Sequence, residues 1–104
     1  MSEFPIITPN ELKEKLERGE KLNLIDVREA DEVAEGMIPE AKHIPMGEIP
    51  ESLDQLDQNV EYIMICRSGG RSARVCQFLQ DNGYKVVNME GGMLNWTGVT
   101  KPKL

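Results

Sequence analysis

Short apolar runs alternate with segments of helical periodicity along this chain, and the connections between successive runs are too long for hairpins. Parallel strands need crossovers of a dozen or more residues, so this order argues for a parallel sheet covered by helices on both sides. The runs are Ile6-Ile7, Leu22 to Val27, His43-Ile44, Val60 to Ile65 and Lys85 to Met89. Leu22-Asn23-Leu24-Ile25-Asp26-Val27 is mostly apolar, as a strand buried on both faces should be.

The helical signals are equally local. Thr8-Pro9-Asn10-Glu11 predicts a helix start, with a capping Thr, Pro at the first position and Glu three residues after the cap. Leu12 and Leu16 give it an apolar edge before Gly19 ends it. A short helix is expected from about Glu29 to Glu35, stopped by Gly36, and another from Glu51 to Leu56 in the stretch punctuated by Pro39, Pro45 and Pro50. Ser72, Val75, Cys76 and Leu79 recur at helical spacing, and Gly83 closes that helix. Gly91-Gly92 marks a turn before a last helical turn, Met93 to Trp96.

A chain of 104 residues is expected to form one domain spanning residues 1–104, with its core at about 5–96 and a polar tail at 97–104 that carries no interaction motif. The formal charge of −6 disfavours a nucleic-acid surface, which needs clustered Lys and Arg. No apolar run approaches the roughly 18 residues of a membrane span. Met1-Ser2-Glu3-Phe4-Pro5 has neither the basic nor the apolar region of a secretory signal, so a cytoplasmic chain with reduced thiols is expected. With Cys66, Cys76 and His43 as the whole Cys and His complement, a closed zinc site lacks ligands. Neither a metal nor a cofactor is called for, and a monomer is expected.

Chemistry concentrates in Cys66-Arg67-Ser68-Gly69-Gly70-Arg71-Ser72, between the end of a strand and the start of a helix. Backbone N–H groups and the positive end of the helix dipole can converge there on one sulfur. Gly69-Gly70 lets the N–H groups turn inward. Two arginines in an otherwise acidic chain suggest a small anionic substrate. A free thiol ionises near pH 8.5, and an efficient nucleophile needs about 6, a shift worth about 3.4 kcal/mol. A helix terminus supplies about 0.3 to 2 kcal/mol. Amide hydrogen bonds and a nearby Arg67 or Arg71 are expected to supply the rest.

Other polar residues have quieter readings. Cys76 shares a face with Val75 and Leu79 and reads as a packed core thiol, with a resolving role for Cys66 as the alternative. His43 reads as a surface or turn-packing residue. Asp26 and Arg28 end a strand on the same edge as Cys66 and are candidates for ordering its loop by hydrogen bonds. Two roles suit Trp96: a wall of the pocket, together with Gly91-Gly92, or core filling.

These segments resemble the rhodanese-like family. The run from Cys66 to Ser72 is similar to the active-site loop of its single-domain sulfurtransferases. Leu24-Ile25-Asp26-Val27-Arg28-Glu29 is similar to the family's first strand-end motif. Gly36-Met37-Ile38-Pro39-Glu40-Ala41-Lys42-His43-Ile44-Pro45 resembles its Gly-His-Ile-Pro-x-Ala-x-Asn-Ile-Pro segment, and Glu90-Gly91-Gly92-Met93-Leu94-Asn95-Trp96 its closing Gly-Gly-x-x-x-Trp. The resemblance implies an α/β fold of three layers, α/β/α, around a mostly parallel five-stranded sheet. It also implies that Cys66 takes sulfane sulfur from thiosulfate or a persulfide donor, becomes a persulfide, and passes the sulfur to a thiol or protein acceptor. Departures are Met37 where His is frequent, His43 where Asn is frequent, and Cys76 where a small residue is usual.

The expected roles are therefore Cys66 as nucleophile, the backbone of Arg67, Ser68, Gly69, Gly70, Arg71 and Ser72 as anion cradle, and the two arginines as electrostatic aids. A persulfide carrier or binding module needs the same loop and remains an alternative, as does thiol redox chemistry through Cys76. A phosphatase or arsenate reductase fits less well. The tyrosine-phosphatase pattern is Cys-x5-Arg, whereas Arg71 gives Cys-x4-Arg and Ser72 stands where that arginine is required; the shorter loop is a tight cradle for a phosphoryl group.

Overall fold

The computed structural model describes residues 4–103; residues 1–3, on which the leader argument partly rests, and Leu104, the end of the tail, lie outside them. Five strands form one sheet: β1 (Ile6–Ile7), β2 (Asn23–Asp26), β3 (Ala41–His43), β4 (Glu61–Ile65) and β5 (Lys85–Met89). All pairings are parallel, in the order β1-β5-β4-β2-β3. The helices are α1 (Pro9–Glu17), α2 (Ala30–Glu35) and α3 (Gly70–Asp81).

The three inner strands β2, β4 and β5 bury side chains alternately on the two faces, as a period of two requires. On one face Ile25, Val27, Met64, Cys66 and Val86 pack with Val75, Cys76 and Leu79 of α3. On the other, Leu24, Ile63, Ile65, Val87 and Met89 pack with Leu12, while Leu16 and Trp96 lie partly buried against them. Replacing fully buried Leu12 by Ala would cost about 2–5 kcal/mol.

The capping box that opens α1 forms as expected. Glu11 N–H donates to Thr8 Oγ1 at 3.1 Å, and Thr8 N–H donates to Glu11 Oε1 at 2.9 Å. Elsewhere the proline-punctuated stretch differs from expectation. The edge strand is Ala41–His43 rather than His43-Ile44, and the helix expected from Glu51 is a 3-10 segment, Pro50–Gln55, preceded by a second one at Met46–Glu48. Pro50 has no N–H with which to bond Met46 O, so the two 3-10 segments cannot run on as one α-helix.

The polar tail is tied down by backbone bonds. Met37 and Lys101 exchange both N–H···O bonds at 2.9 Å, and Lys103 N–H donates to Val33 O at 3.0 Å. Met37 is consequently buried. No helix among the described residues is long and apolar enough to cross a membrane.

This topology fixes where a site can be. The chain leaves β2 for β3 on one side and β4 for β5 on the other, so the crossovers diverge between β2 and β4. Ligands of open parallel sheets bind outside the carboxyl ends of the strands at such a divergence. Val27-Arg28 and Cys66-Arg67 emerge there.

Candidate active site

Cys66 directly follows β4 and continues its alternation on the α3 face. The loop then reverses within three residues to begin α3, which brings N–H groups back over the sulfur. Gly69 N–H donates to Cys66 Sγ at 3.0 Å, and Ser72 Oγ lies 3.3 Å from the same atom. Gly69 makes the reversal at φ +100°, and a Cβ there would lie 3.1 Å from Gly91 N, so both conformation and space favour glycine. Burial pushes the Cys66 thiol up, but the Ser72 hydroxyl and the N–H groups of Ser72, Gly69 and Ser68 push it further down, and the net shift is downward. The residue exposes no surface; its sulfur is held beneath the loop.

The Gly91-Gly92 turn braces this loop from behind. Met93 N–H donates to Cys66 O at 2.9 Å and Leu94 N–H to Arg67 O at 3.0 Å. These two bonds hold the carbonyls of the loop's first residues on the side away from the inward N–H groups. Trp96 walls no part of the Cys66 loop: it packs against the opposite core, and its indole N–H donates to Val99 O at 3.2 Å.

The arginines divide differently from expectation. Arg71 gives Nη1–H and Nη2–H to the two carboxylate oxygens of Glu32, each at 2.7 Å, a paired fork that holds the Glu32 carboxyl down at about 2. The Cys66 thiolate also raises Arg71's affinity for its proton, but Glu32 is the larger influence. The arginine's charge is therefore engaged before it reaches the sulfur, and hydroxyl and amide hydrogen bonds carry the activation. Arg67 is exposed and makes no side-chain bond among the described residues.

Among the described residues, Asp26 and Arg28 make no hydrogen bond to the Cys66 loop. Asp26 accepts from Arg28 Nε and Nη2 at 3.0 and 2.8 Å and from Arg28 N–H at 3.0 Å, and Arg28 Nη2 also donates to Gly36 O at 2.8 Å. The pair is buried and ties the end of β2 to the end of α2. Arg28 and Arg67 nevertheless line one cleft of about 310 Å³, together with Glu32, Glu35, Met93 and Leu94.

Cys76 is fully buried, and burial pushes its thiol up to about 12. That is the behaviour of the packed core thiol read from its helical face. His43 packs a turn: Nε2 lies 2.7 Å from Arg28 O and Nδ1 3.1 Å from Lys103 Nζ, contacts satisfied when Nε2 carries the proton and Nδ1 accepts.

Three participants escaped the sequence reading: Glu32, Gly92 in its role as brace, and Asn88. Buried Asn88 places Oδ1 2.5 Å from Ser72 Oγ and donates from Nδ2 to Gly69 O at 3.2 Å. A readable signal did exist for it. Asn88 follows Val86 by two residues, so it occupies a core-facing position of β5 with a polar side chain.

The comparisons with known proteins agree with this geometry. The family description "Rhodanese-like domain" matches residues 8–98. The chain belongs to the rhodanese-like family. Within it, the chain is 58% identical over 101 residues to a Bacillus subtilis (strain 168) protein named "Putative sulfurtransferase YtwF", covering 97% of this chain and 98% of that one. It is 39% identical to "Putative sulfur carrier protein YrkF" of the same organism, with 96% of this chain matched to 55% of that longer protein. A crystal structure of a rhodanese-like domain protein from Staphylococcus aureus superposes with a TM-score of 0.91 at 41% identity, covering 97% of this chain and all of that one. The five-stranded three-layer architecture is thus the rhodanese-like one.

Proposed function

We propose that this chain is a sulfurtransferase that carries sulfane sulfur on Cys66. The observation that bears most weight is the thiol itself: it sits at the end of the central strand under the N–H of Gly69 and beside the hydroxyl of Ser72, at 3.0 and 3.3 Å. In the first step the Cys66 thiolate attacks the outer sulfur of thiosulfate, the sulfur–sulfur bond breaks, and sulfite leaves with its electron pair. A persulfide donor reacts in the same way and releases a thiolate. The N–H groups of residues 67–72 stabilise the negative charge before and after transfer. In the second step an acceptor thiolate attacks the outer sulfur of the persulfide and Cys66 departs as thiolate. The Ser72 hydroxyl and the loop N–H groups that lower the Cys66 thiol favour its nucleophilic thiolate form.

Arg67, exposed at the cleft, is the cation free to meet an anionic donor, while Arg71 stiffens the start of α3 through Glu32. The same engagement argues against phosphoryl transfer, in which the loop arginine must clasp the transferring group. A second reading, a persulfide carrier that hands sulfur to a protein, is favoured by the likeness to the relative named as a sulfur carrier. In either reading residues 5–96 act as one domain, in a reducing compartment such as the cytoplasm, where the thiol stays free.

Intact mass after incubation with thiosulfate tests the proposal. A gain of one sulfur atom is expected in the native chain and in Cys76→Ser, and none in Cys66→Ser. Thiocyanate release from thiosulfate and cyanide should follow the same pattern. Absence of any gain with thiosulfate or a persulfide donor overturns the reading, and equal loss in both variants overturns the single-cysteine mechanism.

A further inference from the structure

The hydrogen bonds around Ser72 are oversubscribed. Its hydroxyl carries one proton, yet Oγ lies 2.5 Å from Asn88 Oδ1, 3.2 Å from Gly69 O and 3.3 Å from Cys66 Sγ. The orientation of the Asn88 amide is set by its other end. Nδ2 donates to Gly69 O at 3.2 Å, whereas the reverse placement would set two carbonyl oxygens against each other. Oδ1 therefore faces Ser72 as an acceptor, and so does the sulfur whenever it is ionised. Ser72, Asn88 and Cys66 are all buried, with Ser72 and Cys66 fully so. No bulk water competes for that proton.

We propose that Asn88 is a positioning residue that competes with Cys66 Sγ for the single Ser72 proton, and so holds the sulfur in its uncharged forms. With Cys66 as thiol, S–H donates to Ser72 Oγ and Ser72 donates onward to Asn88 Oδ1, so all three groups are satisfied. On ionisation the thiol proton leaves to solvent, the Ser72 hydroxyl turns to the thiolate, and Asn88 Oδ1 loses its partner. When a second sulfur is attached, the negative charge moves to the outer atom and the inner sulfur becomes a weak acceptor. Ser72 then returns to Asn88. Asn88 thus opposes the free thiolate relative to both thiol and persulfide, which favours a loaded Cys66 over an empty ionised one.

The proposal rests on Cys66 being the reacting atom, and its test is independent of sulfur chemistry. The pH dependence of Cys66 alkylation by iodoacetamide is measured in a Cys76→Ser background, so that one thiol reports. The charged and titratable groups about the sulfur, Arg67 beside it in the loop, Arg71 with its partner Glu32, and the buried Asp26–Arg28 pair of the adjacent strand end, stay unchanged. Asn88→Ala releases the hydroxyl to the sulfur and should lower the alkylation midpoint by about 0.5 to 1 unit, the equivalent of one hydrogen bond. Ser72→Ala should raise it, and adding Asn88→Ala to Ser72→Ala should then change nothing. Asn88→Asp, a stronger acceptor, should raise it. A merely structural role, in which Asn88 anchors Gly69 O, predicts a rise for Asn88→Ala and an effect that persists without Ser72. Either result, or a fall with Asn88→Asp, overturns the proposal. Persulfide formation by mass, measured on the same variants, separates this outcome from failure of the sulfurtransferase reading.

Discussion

Gly92→Ala should be the most damaging single methyl group in this protein. Gly92 has φ +64° and ψ −163°, a region essentially reserved for glycine, where another residue costs about 1–3 kcal/mol. The added Cβ would also touch Arg67 O and lie 2.5 Å from the Arg67 carbonyl carbon and 2.7 Å from Cys66 O. These are backbone atoms, so no flexible side chain can swing away, and such overpacking costs about 1–3 kcal/mol. Relief requires the turn to back away from the loop. That breaks the two bonds from Met93 N–H and Leu94 N–H, worth about 0.5–1.5 kcal/mol each. Because relieving the clash and losing the bonds are alternatives in part, the expected loss is about 3–5 kcal/mol, a large share of a typical domain's ~5–15 kcal/mol. Two controls isolate the causes. Gly19→Ala has φ +82° and nothing within 4 Å, and Gly47→Ala has open space with no positive φ. Urea unfolding should therefore rank Gly47→Ala as neutral or slightly stabilising, Gly19→Ala as a loss of about 1–2 kcal/mol, and Gly92→Ala as far worse at an unchanged m-value. A Gly92→Ala midpoint equal to that of Gly19→Ala would refute the brace. In that case the loop does not depend on the turn behind it.

Native-state alkylation at pH 8 should modify Cys66 and spare Cys76, whose thiol burial holds near 12; peptide mapping that finds Cys76 modified at a comparable rate would contradict its packing. Glu32→Gln removes the partner of Arg71. Glu32 is depressed to about 2 in the fold, so its stabilisation is fully present above the ordinary carboxylate pKa near 4.5 and is lost as pH falls toward 2. The stability gap between native chain and Glu32→Gln, from urea midpoints, should be open at pH 7 and close between pH 4.5 and 2. Solvent exposure of both partners keeps that gap modest, on the order of 1 kcal/mol. Thr8→Ala breaks the capping box of α1 and should cost about 0.5–2 kcal/mol, read from the same unfolding curves.

What the sequence made legible was local. The α1 cap is a contact between positions three apart, the α3 face repeats every three or four residues, and the Cys66 loop is contiguous, so each could be read from spacing alone. The partners that decide the chemistry are not local. Arg71 and Glu32 are 39 positions apart, and Ser72 and Asn88 are 16 apart. Nothing in their own neighbourhoods pairs them, and an arginine five positions after the cysteine of an anion loop reads naturally as a ligand for the anion. Asp26 and Arg28 show the same limit in reverse: their place at a strand end was legible, but the partner each would choose was not. Sheet topology supplies the missing information. Asn88 pairs with Met64 in register, two residues before Cys66 on the same face, so parallel neighbours β4 and β5 deliver thiol and amide to one side of the sheet just where α3 brings Ser72. Once strand order is known, a polar residue at a core-facing position beside the nucleophile strand ceases to be an anomaly of composition. It becomes the group that decides where the Ser72 proton rests.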